Sequence, residues 1–109
     1  MIVITNIADL YMIGLYRSQR DAGLVCTFRK DFLTQQTWKQ LDALPVFTLY
    51  KKPAFELTSK QDEELSAIMK KMKREQGSGY IFSDDLQRTY LMELIHGIMK
   101  VLLGPENSN

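Results

Sequence analysis

The sequence predicts an α+β fold, an antiparallel sheet in the first half of the chain followed by an αα-hairpin. Three observations predict it. Up to about residue 57 the apolar residues fall in short β-branched and aromatic runs between turn formers, and from Thr58 onward their spacing becomes helical. Gln76-Gly77-Ser78-Gly79 then breaks the helical half in two. The 109 residues suffice for one compact domain that buries roughly two-thirds of the unfolded chain's surface. The expected organisation is a β part over residues 1–57 with a short helical segment near 31–44, a two-helix part over 58–103, and a tail over 104–109.

The strand candidates are Ile2 to Thr5, Leu10 to Tyr16, Gly23 to Phe28, Pro45 to Tyr50 and Pro53 to Leu57. In the third run Leu24, Cys26 and Phe28 share one face and Val25 and Thr27 the other, as in a sheet covered on one side. Arg17 to Gly23 reads as a polar turn. Phe32, Leu33, Trp38, Leu41 and Leu44 recur at helical spacing, which predicts one or two short helices over Asp31 to Leu44.

Thr58 is the expected N-cap of the first long helix. Gln61 completes a capping-box pattern, and Asp62, Glu63 and Glu64 sit where the helix dipole favours negative charge. Lys70, Lys71, Lys73 and Arg74 gather at the opposite end, so the basic cluster has a structural reason and reads as a solvated face. Leu65, Ile68, Met69 and Met72 form a narrow stripe that needs one partner surface. Ser83, followed by Asp84 and Asp85, is the expected cap of the second helix, which runs to Leu103. Its apolar arc covers about half the circumference or more and leaves Thr89, Glu93, His96 and Lys100 as the polar strip. One neighbour covers only part of such a helix. A dimer interface of Leu91, Ile95, Ile98 and Leu102 is therefore expected, and the chain is expected to pair with a twin; the alternative is that the sheet and the first helix cover both sides of this helix within one chain.

Composition excludes several chemistries. Fourteen Lys and Arg against thirteen Asp and Glu give a net charge of +1, which provides no long-range field for a polyanion. With one cysteine and one histidine there is no intramolecular disulfide and no multi-histidine metal shell, and no cofactor is expected. Cys26 sits in an apolar strand with no cationic neighbour and reads as a core residue. His96 reads as an exposed helical residue, and the carboxylate clusters read as helix caps. The two long helices are not a helix-turn-helix: Gly77 to Ser83 is too long a turn, and Asp84 and Asp85 would face phosphates. The stretch Met1 to Asp9 has no basic leader, and Glu93, His96 and Lys100 interrupt the most apolar segment. A cytoplasmic protein without a membrane span is expected. Tyr11, Tyr16, Arg17 and Trp38 are the candidate lining of a small-molecule site, aromatic walls with a polar anchor.

The order of these features resembles a known family. Gly23-Leu-Val-Cys-Thr-Phe28 with Asp31-Phe-Leu33, then Pro45-Val-Phe47, Pro53-Ala-Phe-Glu-Leu57, the helix with Leu65, Ile68 and Glu75, and the apolar helix ending in Leu102-Leu103 resemble the N-terminal domain of AraC-type transcriptional regulators. The resemblance implies a partial cupin-like sheet, or half barrel, that senses a small-molecule effector, followed by helices that form a homodimer. It also implies that DNA is bound only through a separate C-terminal domain, beyond the linker-like Gly104 to Asn109. The chain corresponds to the later strands of such a β-domain. The function implied is an effector-sensing and dimerisation module of a bacterial regulator, with no catalysis. The alternatives are a small cupin-type metal-dependent enzyme, which a lone His96 serves poorly, and a non-catalytic interaction adaptor that uses the same helix.

Overall fold

The computed structural model describes residues 1–7, 9–16, 23–41 and 54–103. Arg17, most of the Arg17 to Gly23 turn, the strand expected at Pro45 to Tyr50 and the tail 104–109 lie outside them. The fold is α+β. In order the elements are β1 (Ile2–Ile7), β2 (Leu10–Leu15), β3 (Leu24–Arg29), a 3-10 turn (Lys30–Phe32), α1 (Gln35–Leu41), β4 (Ala54–Phe55), α2 (Ser59–Glu75) and α3 (Ser83–Leu103). They divide into two compact units, Met1–Glu56 and Leu57–Asn109. No helix among the described residues is long and apolar enough to cross a membrane.

The first unit is a four-stranded antiparallel sheet in the order β3-β2-β1-β4. Register sorts its side chains. Ile2 and Ile4 lie opposite Leu15 and Ile13, which in turn lie opposite Leu24 and Cys26, so one face is continuously apolar across three strands. Ile2 and Ile13 are 0% exposed and Leu15 is 1% exposed. β1 runs two residues further than the Ile2 to Thr5 expected from its sequence, and within the run Pro53 to Leu57, of which Pro53 lies outside the described residues, Ala54–Phe55 pairs with Val3 and Ile2. The helical segment expected near 31–44 is split: Lys30–Phe32 makes a single turn, and α1 begins three residues later. Thr34 starts α1 in the manner of a cap, its hydroxyl accepting from the Thr37 N–H at 3.1 Å.

The second unit is the αα-hairpin. The Thr58 hydroxyl accepts from the Gln61 N–H at 3.1 Å and the Gln61 amide oxygen accepts from the Thr58 N–H at 2.9 Å, a complete capping box. Ser83 departs from its expected role. It is the first residue of α3 rather than its cap, and its hydroxyl turns back to donate to the Glu75 carbonyl at 3.3 Å, tying the start of α3 to the end of α2. Gly79, at φ +72°, makes the left-handed step in the connection.

Because Ile13 lies at the centre of the apolar face with no exposure, Ile13→Ala is expected to destabilise the chain by about 3 kcal/mol. At the rim, Val25→Thr should cost under about 0.5 kcal/mol. Urea unfolding monitored by circular dichroism measures both.

Candidate functional site

Two places gather the residues that the sequence singles out, one in each unit. In the sheet unit, Tyr11 of β2 stacks on Phe28 of β3, with ring centroids 5.5 Å apart, and on Trp38 of α1 at 5.0 Å. The chain comes round to make this cluster because Trp38 is anchored: its indole N–H donates to the Lys30 carbonyl, and the Lys30 ammonium lies 5.6 Å above the ring. Tyr11 and Trp38 are thus brought together in a mutual stack, 7% and 5% exposed. Tyr16 does not join them. Strand alternation puts it on the same face as Met12 and Gly14, opposite Tyr11, and its ring lies over Gly14. Arg17 lies outside the described residues.

Cys26 is half-buried on the apolar face, and burial pushes its thiol from the ordinary 9.0 up to about 11. At neutral pH only about one thiol in ten thousand is then ionised, which makes it a poor nucleophile. Among the described residues no three His, Cys, Asp or Glu side chains are placed to hold a metal ion.

In the hairpin unit a groove of about 880 Å³ runs between α2 and α3. Leu65 and Ile68 supply its apolar surface, Ala67 and Gly97 its small positions, and Lys60, Glu64, Lys71, Glu93, His96 and Lys100 its polar lining. Gly97 lets the helices close: a Cβ added there would come within 2.7 Å of Leu65 Cδ2. Lys71 crosses from α2 to pair with Glu93 Oε1 at 3.6 Å and lies 5.4 Å over the Tyr90 ring. Nearer the turn, the Gln87 amide N–H donates to the Met72 carbonyl at 2.8 Å. The hydroxyl of Ser78, and after it that of Ser83, holds the Glu75 carboxyl below its ordinary value. Sequence patterning does not reveal the groove, because it depends on which residues of two separate helices meet; Gly97 inside an otherwise apolar helix is its one visible trace.

The residues expected at a dimer interface fall differently. Leu91 is 0% exposed, and Ile95 and Ile98 are each 1% exposed, within the single chain, so these three do not form an open surface; Leu102 is half-buried. The expectation overcounted the free surface because a helical wheel shows which residues share a side and not how much of that side the rest of the chain covers. The polar strip of Thr89, Glu93, His96 and Lys100 is exposed as its sequence indicates.

No family model matches this chain, and neither a curated protein nor a solved structure matches it.

Gly97→Ala should leave stability within about 1 kcal/mol, since the gain in helix propensity opposes the displacement of a Leu65 methyl. Gly97→Val, whose extra methyls must part the helices, should cost about 2 kcal/mol or more in urea unfolding. The Cys26 thiol gives a pH signature. The folded chain holds its proton more tightly than the unfolded chain, so stability is unaffected below about pH 9 and falls, by about 2 to 3 kcal/mol in all, as pH rises through about 11. Comparing the native chain with Cys26→Ser across that range by thermal melting isolates the contribution.

Proposed function

We propose that this chain is the effector-sensing and dimerisation module of an AraC-like transcriptional regulator, non-catalytic in itself, with DNA contact made by a separate C-terminal domain of such a regulator. The order of its parts supports the reading: an antiparallel sheet with an aromatic cluster first, a helical hairpin second. The family motifs from Gly23 to Leu57 support the finer description of that sheet as part of a cupin-like half barrel.

One observation carries the proposal, the clamping of the hairpin at three heights. The Leu65 contact at Gly97, the Lys71–Glu93 pair and the Gln87–Met72 bond join α2 to α3 through the middle of the pair, from Leu65 to Met72 along α2 and from Gly97 to Gln87 along α3. With 21 residues, α3 is about 31 Å long, and a two-helix arm joined in this way resists bending. A stiff arm suits a positional task, holding two attached domains at a set spacing, better than it suits catalysis. The effector is read at the rim of the aromatic stack, where the Lys30 ammonium beside the Trp38 indole would receive a flat molecule with an anionic group. Cytoplasmic residence belongs to the same reading. The homodimer of this reading meets through a surface other than Leu91, Ile95 and Ile98, which the single chain already buries.

Fusion to a DNA-binding domain that represses its operator only when paired tests the proposal. Repression restored by the full chain, and relieved or deepened by small aromatic acids, is the expected result. A well-expressed, folded fusion that does not repress contradicts it.

A further inference from the structure

The hydrogen-bond parity of the sheet identifies backbone groups of β3 that no described residue uses. Met1 and Tyr16 exchange two backbone bonds, at 2.7 and 2.8 Å, and the Lys30 N–H donates to the Asp9 carbonyl at 2.7 Å. In an antiparallel ladder, the residues that bond a given neighbour alternate along the strand. Even-numbered residues of β2 therefore bond β1 and odd-numbered residues bond β3, where the partners are Leu24, Cys26 and Phe28. The N–H and C=O groups of Val25 and Thr27 point the other way. Among the described residues no strand pairs along that edge. It also lacks the usual protection, since Leu24–Arg29 has no proline, no lysine and no break in register, and Val25 is 49% exposed.

We infer that this edge pairs with β3 of a second copy, antiparallel about a two-fold axis at Cys26. The strand is self-complementary in that register. A two-fold axis normal to the sheet keeps its faces, so only residues of equal parity oppose each other. Leu24 then meets the partner's Phe28 and extends the apolar face. Val25 meets the partner's Thr27 as a hydrogen-bonded pair, and the two such pairs engage all the outward groups of both residues. The charged Arg29 stays outside the overlap, whereas a register centred on Thr27 would set it against Val25. The two four-stranded sheets become one continuous sheet. The inference rests on the proposed reading only in requiring that copies associate; it adds where they meet.

A chemical mark follows from the register. Cys26 faces the partner's Cys26 as a non-hydrogen-bonded pair, with Cα atoms about 4.5 Å apart, inside the span of about 4.4–6.8 Å that a disulfide bridges. Added diamide would take up two electrons and two protons from the two thiols, becoming the hydrazine as the S–S bond forms.

Three measurements on the full chain test this: light scattering, diamide cross-linking with Cys26→Ser as control, and far-UV circular dichroism of Thr27→Pro. That substitution removes an outward N–H and leaves every β2 bond in place, as proline at a sheet edge allows. The expected result is a dimer, cross-linked through Cys26, whose dissociation constant rises about tenfold or more in Thr27→Pro with the spectrum unchanged. Should that variant misfold, Val25→Lys at the exposed edge position is expected to weaken the dimer in the same way. A dimer that survives both substitutions and gives no Cys26 cross-link overturns the inference and leaves self-association standing through another surface. A monomeric native chain overturns both.

Discussion

The two-sided hydrogen bonding of β2 is the constraint on which the sheet unit depends. Each residue of that strand bonds one neighbour or the other, by parity, while its side chains alternate between the faces. The two alternations are locked together. Tyr11, Ile13 and Leu15, which bond β3, are also the residues that face the buried side, and a slip of one residue would expose all three and lose both ladders. The same locking decides what is left over at β3: the residues with outward backbone groups, Val25 and Thr27, are those whose side chains face away from the core.

The hairpin obeys a different constraint, closeness between two helices. Gly97 permits the approach, Leu65 fills it, and two polar pairs on the turn side of that contact, Lys71 with Glu93 and Gln87 with Met72, hold the axial register. An exposed ion pair such as Lys71–Glu93 contributes under about 1 kcal/mol. Its value here is in positioning, since the Lys71 ammonium also lies over the Tyr90 ring. Leu91, Leu94, Ile95 and Ile98 of α3 are all but fully buried, and apolar burial of this kind contributes more than such a pair.

Local signals are legible in this sequence and non-local ones are not, for physical reasons. The Thr58–Gln61 capping box, the break at Gly77 to Gly79 and the alternation of Leu24 to Phe28 are written within a few residues of one another, and each appears in the structure. The role of Ser83 is not legible locally: its hydroxyl suits a cap, whereas the nearby end of α2 offers it the Glu75 carbonyl. The sequence offers Tyr11 and Trp38 only as two of four candidate lining residues; their stacking is not legible in it, because it depends on the Lys30 turn. Tyr16 was grouped with them by residue type alone, against the strand alternation that separates them. The apolar arc of α3 is legible in the sequence, but the burial of Leu91, Ile95 and Ile98 within the chain is not, since periodicity carries no information about what lies opposite.

Amide hydrogen exchange resolved residue by residue along β3, measured over a range of protein concentrations, tests the central claim most directly. The account predicts slow exchange at Cys26 and Phe28 at every concentration. Val25 and Thr27 should exchange rapidly in dilute solution and become protected as copies associate. Protection of Val25 and Thr27 that is already complete in dilute solution and indifferent to concentration would contradict it, because the chain would then be closing its own edge.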